Sequence, residues 1–285
     1  MNRNQVLRQR SLTGIIFAVI VIALLTSGVT GAFIFGALIM IACTYEYVRM
    51  IFPKNIQKLT ITMTAVVSVA AGIIFVSPST EAYLYLCLLS CLFLCLGILS
   101  LFIPFIQHRK YYVVTAMSYF GLPLGLFLSF IIHRDVYLPY FWMTVILMIW
   151  MSDSFAYLVG SRIGKTKLFE RISPKKSWEG FLGAGIITLP LAYFIGTHFF
   201  FSPADMYGIS TAQVMSPGIF WVMIAAISWM IGTLGDLVES SIKRTFEVKD
   251  SGKLLPGHGG ILDRFDSFIY ILPFVLFLLV FFSKQ

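Results

Sequence analysis

Residues 235–267 read GDLVESSIKRTFEVKDSGKLLPGHGGILDRFDS and join two strongly apolar runs, 218–237 and 264–282. A bilayer core about 30 Å thick takes about 20 apolar residues of helix, so each run is predicted to be a membrane span. The stretch holds six acidic side chains, five basic ones and a Gly-His-Gly-Gly turn. Carboxylates, lysines and adaptable backbone N–H groups at a membrane surface are what phosphate and metal chemistry requires. The stretch therefore predicts both a membrane fold and a site for phosphate-bearing ligands.

The rest of the chain extends the apolar pattern. Of its 285 residues 58% are hydrophobic and only 12% are charged, whereas a soluble domain carries about 25% charged residues. We therefore predict an all-α integral membrane protein with about nine transmembrane helices, and we exclude a soluble globular domain. The predicted spans are 12–28, 31–48, 61–77, 83–106, 113–132, 137–160, 181–201, 218–237 and 264–282.

The basic residues predict the orientation of these spans. If the N-terminus is cytoplasmic, all of the 21 lysines and arginines except Arg134 and Lys284 fall in inner segments. By the positive-inside rule the N-terminus is then cytoplasmic and the C-terminus lies outside. The net charge of +8 follows from topology and from contact with anionic lipids, so no nucleic-acid partner is needed. The first apolar run is read as an uncleaved helix, since further spans follow at once.

The chain is predicted to form one membrane domain with two unequal parts. Residues 1–136 hold five spans with short loops, and residues 137–285 hold polar spans with two longer cytoplasmic loops, 161–180 and 238–263. Glu46 is the exception in the first part. It precedes Arg49 by three residues on a predicted helix, so an i,i+3 ion pair at the membrane interface is expected.

Asp153 is the first candidate site residue, inside the sixth predicted span. It lies about two helical turns, or ~10 Å, below the inner surface. An ionised carboxylate at that depth costs roughly 3 kcal/mol, so it should face a polar cavity, a cation or a partner. A structural carboxylate that caps a neighbouring helix is the alternative.

The loop after that span ends in SPKKSWEG, residues 173–180. Pro174 predicts a turn, Lys175 and Lys176 supply paired cations, and Ser177 is placed to cap a helix with Glu179 in its first turn. Lysines beside a helix N-terminus suit a triphosphate. A positive-inside loop with a well-capped helix explains the same residues, and both interpretations stay open on this segment alone.

Acidic residues flank the connection between the last two spans. Asp236 and Glu239 are spaced i,i+3 at the end of one span, with Ser240 on the same face, and Asp263 and Asp266 share one face at the start of the other. Two carboxylates from one helix and one from another can hold divalent cations that bridge phosphates. A structural network of salt bridges is the alternative.

Basic residues and glycines lie between these carboxylates. The glycines tolerate unusual dihedral angles, so the backbone N–H groups of the turn can point toward an anion. His258 alone is more often a hydrogen-bond donor than a metal ligand. The residues that we expect to contact phosphate here are Lys243, Arg244 and Lys249, with the turn Gly257, His258, Gly259 and Gly260. Asp250 follows Lys249, and Arg264 lies between Asp263 and Asp266.

These motifs together resemble a known family. Ser241-Ile-Lys-Arg, Lys249-Asp250, Pro256-Gly-His-Gly-Gly and Asp263-Arg-Phe-Asp266 are similar to the signature of phosphatidate cytidylyltransferases, also called CDP-diacylglycerol synthases. The segment around Asp153, SPKKSWEG and GDLVES resemble further blocks of that family, so the resemblance covers roughly residues 150–268.

The resemblance implies an enzyme that converts CTP and phosphatidate to CDP-diacylglycerol and pyrophosphate at the cytoplasmic face. It implies Mg2+, with metal-binding aspartates at Asp236 and Asp263, and a homodimer that packs through membrane helices. A second metal could be divalent or monovalent, such as K+. The predicted metal ligands are Asp236, Asp263, Asp266 and Asp153; the predicted catalytic residues are Asp236, Asp263, Lys243, Arg244, Lys249 and Asp250; the predicted substrate-binding residues are Lys175, Lys176, Ser177, Ser240, Gly257, His258, Gly259, Gly260 and Arg264.

Two other functions stay open. A CTP-dependent membrane lipid kinase acting on polyprenol would share the basic loops, and a cation or proton transporter could use Asp153, Asp236 and Asp266. Against a transporter, the sequence shows no paired inverted halves. The pattern of CDP-alcohol phosphatidyltransferases is absent. Short loops and the lack of a targeting extension favour the bacterial inner membrane.

Overall fold

A computed structural model describes residues 3–76, 79–102, 109–133, 137–198, 216–254 and 259–283. A π-helical turn, Met117–Gly121, joins two of its helices into a single span, Tyr112–His133. The helices in the described residues are α1 (Arg3–Thr26), α2 (Gly28–Ile51), α3 (Ile56–Val76), α4 (Thr80–Leu99), α5 (Tyr112–Ala116), α6 (Leu122–His133), α7 (Pro139–Ile163), α8 (Trp178–His198), α9 (Pro217–Thr245) and α10 (Leu262–Ser283).

The prediction of an all-α membrane protein is confirmed. Within the described residues, eight helices are long and apolar enough to cross a membrane. The first predicted span is the exception, because the apolar part of α1, Leu12–Thr26, is shorter than a full span. The break after it comes at Gly28, whose φ of +85° lies in the left-handed region that favours glycine.

Local signals explain where several helices begin. The Ser79 hydroxyl accepts a hydrogen bond from the Ala82 N–H at the start of α4. The Ser216 side chain accepts from the Ile219 N–H at the start of α9, and Pro217 occupies the first helical turn. These caps satisfy N–H groups that have no partner within the helix.

One predicted helix end near the charged loops is wrong. α9 continues well past residue 237 to Thr245, because its last turns keep one buried apolar face that includes Val238 and Ile242. The predicted loop 238–263 is therefore shorter, and several of its charged residues lie on a helix.

The loop after α7 contains a small antiparallel hairpin, which was not predicted. Strands β1 (Lys167–Phe169) and β2 (Ser173–Ser177) pair Lys167 with Ser177 and Phe169 with Ser173. The predicted turn at Pro174 is wrong, since this residue lies within β2. A proline is tolerated there because a two-stranded sheet has only edge strands.

α10 is at the centre of the helix packing, with Phe268, Ile269 and Leu272 almost completely buried. It contacts α2, α4, α6 and α9, so both predicted parts of the chain share one core. α7, α8 and α9 pack closely against one another, and of these α9 and α7 contact α10. The polar groups of α7, α9 and α10 are thereby brought to one end of the bundle, next to the hairpin. The division at residue 136 stays a prediction.

Candidate active site

A polar cavity of about 360 Å3 lies where α7, α8, α9 and α10 meet the hairpin. It is lined by groups from all five of these elements. Among its lining residues are Asp153, Lys175, Lys176, Asp236, Asp263 and Asp266.

Three carboxylates form an acidic cluster at this cavity. Oxygen atoms of Asp236 and Glu239 on α9 and of Asp266 on α10 all lie within 4.8 Å of one another. Glu239 and Asp266 are buried. The i,i+3 spacing on α9 and the position of Asp266 in the first turns of α10 produce this cluster. It contains Glu239, which is absent from the predicted set of metal ligands, and it leaves out Asp263 and Asp153.

Two lysines compensate the negative charge. Lys176 Nζ lies 2.6 Å from Asp236 Oδ2. Lys243 Nζ lies 2.5 Å from Glu239 Oε2 and 2.6 Å from Asp263 Oδ1. Burial favours loss of the Lys176 proton, but the charge of Asp236 outweighs it and holds the pKa of Lys176 above its ordinary value. Lys176 is therefore positively charged at neutral pH.

Asp263 is held by several donors besides Lys243. Its Oδ2 accepts hydrogen bonds from the N–H groups of Ser251, at 3.0 Å, and Gly260, at 2.8 Å. Gly259 has a φ of +86°, and a Cβ at this position would lie 2.7 Å from Asp263 Oδ2. The described part of the glycine turn is thus fitted around this carboxylate. Its predicted role as a phosphate cradle stays a prediction.

The acidic cluster fits a hard divalent cation. Among the described residues, Glu239 Oε1 is buried and has no hydrogen-bond partner, which is a costly state for a carboxylate. An all-oxygen set of carboxylates is the donor chemistry that Mg2+ prefers. Asp263 is outside the group of three but is linked to it through Lys243.

The start of α8 forms one wall of the cavity. Ser177 Oγ accepts a hydrogen bond from the Gly180 N–H, as expected for a helix cap. Glu179 in the first turn accepts from the N–H groups of Lys165 and Thr166 and so fixes the segment before β1. The helix start and the paired lysines of β2 therefore face the same cavity, as the sequence suggested.

Asp153 on α7 lines the same cavity, so this carboxylate faces a polar cavity, as the sequence predicted. Ser240 is on α9, and its hydroxyl donates to Asp236 Oδ1 at 3.3 Å. Arg264, at the start of α10, also lines the cavity. The structure therefore brings these three predicted residues to the acidic cluster.

Other predicted residues lie elsewhere. The Arg244 Nε donates to the Ile172 carbonyl oxygen on the hairpin at 3.3 Å. Lys249 and Asp250 are exposed after α9. Of the residues that the structure describes, these three are not in the cavity lining, and neither are four predicted site residues beside the acidic groups, namely Ser240, Lys243, Gly259 and Gly260. Gly257 and His258 lie outside the described residues.

Glu46 was assigned the wrong partner from the sequence. Its carboxylate lies against the start of α10, where it accepts hydrogen bonds from the Ile261 and Leu262 N–H groups. Arg49 instead donates through Nη1 to the Pro53 carbonyl oxygen. No local signal identifies the true partners, because they follow Glu46 by more than 200 positions.

A family model and one relative match this chain over nearly its full length. A model of the cytidylyltransferase family covers residues 8–282. The phosphatidate cytidylyltransferase of Bacillus subtilis (strain 168) is 43% identical over 173 residues, which are 60% of this chain and 59% of that protein. The phosphatidate cytidylyltransferase of Staphylococcus haemolyticus (strain JCSC1435) is 34% identical over 280 residues, which are 96% of this chain and 99% of that protein.

Proposed function

The chain belongs to the cytidylyltransferase family, and from that premise we propose that it transfers CMP from CTP to phosphatidate, giving CDP-diacylglycerol and pyrophosphate. The observation that supports this most strongly is the acidic cluster, which lies beside a lysine-lined cavity where the C-terminal half of α9 meets the start of α10. The phosphatidate cytidylyltransferase of Staphylococcus haemolyticus, which aligns over 96% of this chain, supports the choice of substrates.

The reaction needs little proton transfer. A phosphatidate oxygen is already anionic, so it can attack the α-phosphorus of CTP while the bond to pyrophosphate breaks. The main obstacle is the repulsion between two highly negative reactants. A site for this reaction must therefore supply positive charge at fixed positions and reach both the lipid and water.

The residues of the cavity are suited to that task. We propose that Asp236, Glu239 and Asp266 hold a divalent cation, with Asp263 and Asp153 as further carboxylates. When bound, Mg2+ would neutralise phosphate charge and stabilise the leaving pyrophosphate.

The lysines of the cavity would act on the substrate phosphates. Lys176, which contacts Asp236 at the cavity wall, places a second positive charge beside the acidic cluster. Lys175, also in the cavity lining, would bind the same phosphates. A cation in the cluster would take over part of the charge compensation that the ammonium groups now provide.

Label transfer tests the proposal directly. Protein purified in detergent is incubated with phosphatidate, Mg2+ and CTP labelled either in the cytidine or in the γ-phosphate, beside the Asp263→Asn variant and a metal-free control. Metal-dependent transfer of cytidine label to lipid, lost in the variant, is the expected result. Transfer of γ-phosphate alone would establish a lipid kinase. Cation flux into liposomes without either transfer would establish a transporter.

We further propose that the cavity faces the cytoplasm of a bacterial inner membrane and that the protein works as a homodimer. The asymmetric distribution of basic residues supports the first part. The resemblance to the family supports the second. Mass measurement of the native complex in a mild detergent tests the dimer, and a monomer with full activity would contradict it.

A further inference from the structure

Glu46 forms a contact between the first and last parts of the chain that the proposed function does not yet use. Its side chain projects from α2 and is 2% exposed. Oε2 accepts hydrogen bonds from Ser251 Oγ and from the Leu262 N–H, both at 2.9 Å, and Oε1 accepts from the Ile261 N–H at 3.1 Å. One carboxylate thus receives three donors from the segment that carries Asp263.

Ser251 links Glu46 to Asp263. Its hydroxyl donates to Glu46, and its backbone N–H donates to Asp263 Oδ2 at 3.0 Å. Because both hydrogen bonds are donated by Ser251, a shift of Glu46 would also move the Ser251 N–H group that binds Asp263.

Two glycines show that the loop is fitted around this carboxylate. A Cβ at Gly252 would lie 2.3 Å from Glu46 Oε1, and a Cβ at Gly260 would lie 2.3 Å from Glu46 Oε2. Both distances are far below a normal van der Waals contact. Gly260 is also a donor to Asp263, so the segment is constrained by both acidic groups together.

The charge of Glu46 matters for this arrangement. Among the described residues no lysine or arginine forms an ion pair with it. Its negative charge is met by N–H groups at the start of α10, where the helix dipole is positive. All three partners are donors, so an amide side chain would place its own N–H2 group against one of them.

We propose that Glu46 is a positioning residue for the active site, which holds Ser251 and the first turn of α10 so that Asp263 stays directed toward Lys243. This inference rests on the proposed function. Asp263 belongs to the reacting cavity, whereas Glu46 acts only through the loop. Loss of an outer partner of this kind typically lowers metal affinity or activity by roughly 10–100-fold.

The test compares Glu46→Gln, Ser251→Ala and the double variant in the full-length protein. Glu170→Gln is the matched control, because Glu170 is an exposed carboxylate at the hairpin. The readouts are kcat for cytidylyl transfer, Tm, and hydrogen–deuterium exchange of peptides that cover 249–254 and 259–265.

Glu46→Gln is expected to lower kcat by roughly 10–100-fold and to speed exchange in those two peptides only. The double variant should be no worse than Glu46→Gln alone, because both substitutions break the same link. Retained kcat with unchanged exchange would overturn the proposal, and so would faster exchange throughout the helices. If the unsubstituted protein transfers no label, the proposed function fails, while the exchange pattern still decides whether Glu46 holds the loop.

Discussion

Glu239 is a side chain that we expect to lower the stability of the fold while it supports the activity. It is buried beside Asp236 and Asp266, and one of its oxygen atoms has no hydrogen-bond partner among the described residues. Glu239→Gln removes one negative charge from the cluster. It also removes the ion pair of Glu239 with Lys243, but Lys243 keeps its contact with Asp263. We expect Tm to rise by about 2 °C and cytidylyl transfer to fall by roughly 100-fold.

Thermal unfolding and label transfer on the same preparation check this prediction. Asp236→Asn is the informative comparison, since it removes the partner of Lys176 as well. A parallel loss of Tm and of transfer in Glu239→Gln would mean that Glu239 serves the fold and not the cation site.

Lys176 gives a prediction about pH. Its pKa is raised in the folded protein by Asp236, so the ion pair stabilises the fold below the unfolded pKa of about 10.4 and is lost only as pH rises through the higher folded pKa. The difference in Tm between the unsubstituted protein and Lys176→Met should therefore be the same at pH 7 and pH 9. A difference that shrinks within this interval would contradict the raised pKa.

At this scale the sequence predicts contacts within a helix and misses contacts between distant segments. The i,i+3 spacing of Asp236 and Glu239 correctly places both in the acidic cluster, because helix geometry fixes it. The same spacing rule assigns Glu46 to Arg49 and is wrong, because three backbone and side-chain donors from the last loop bind Glu46 instead.

Among the helices, the close packing of α7 against α8 shapes the cavity most directly. A Cβ at Gly180 on α8 would lie 2.7 Å from the Ala156 carbonyl oxygen and 3.0 Å from Gly160 Cα on α7. Gly180→Ala must therefore separate two adjacent helices that both line the cavity. We expect a loss of about 1–3 kcal/mol in stability and a fall in cytidylyl transfer.

Gly72→Ala on α3 is the matched control, since a Cβ at Gly72 has nothing within 4 Å. Its stability should be unchanged or slightly higher, because alanine favours helix more than glycine does. Unfolding of both variants in the same detergent checks the pair. Equal stability of the two would show that α7 and α8 can separate without cost.

The membrane-spanning helices are largely predictable from the sequence, whereas the residues at which several of them end are not. Runs of about 20 apolar residues identify spans from composition alone. The extension of α9 to Thr245 and the hairpin at 167–177 depend on amphipathic or charged segments whose structure is decided by their neighbours. Leu168, for example, lines the cavity from a strand of only three residues.

The whole molecule gives a prediction about topology. The C-terminal ends of α2, α7 and α9 and the N-terminal ends of α8 and α10 should lie on the cytoplasmic side with most of the basic residues. In a variant without the native cysteines, a membrane-impermeant thiol reagent applied to intact cells should label Ser79→Cys and spare Glu170→Cys. The opposite labelling would invert the orientation, and labelling of both would refute a single topology.

The assembly of these helices could not be predicted from the sequence. Apolar composition shows that α10 crosses the membrane, but it does not show that α2, α4, α6 and α9 surround it. Within a bilayer, lipid tails are as apolar as leucine, so hydrophobicity alone does not select neighbours. Steric fit does so at positions such as Gly235, where a Cβ would lie 2.6 Å from Tyr270 Cβ.

The contact of Glu46 with the last loop has a consequence for biosynthesis. Ser251 follows Glu46 by 205 positions, and a ribosome adds roughly 5–20 residues per second. For roughly 10 to 40 seconds, α2 has therefore been synthesised while the residues that donate hydrogen bonds to Glu46 have not. An incomplete chain accordingly cannot assemble a working site in the membrane, and the arrival of α10 is the event that turns the growing chain into an enzyme.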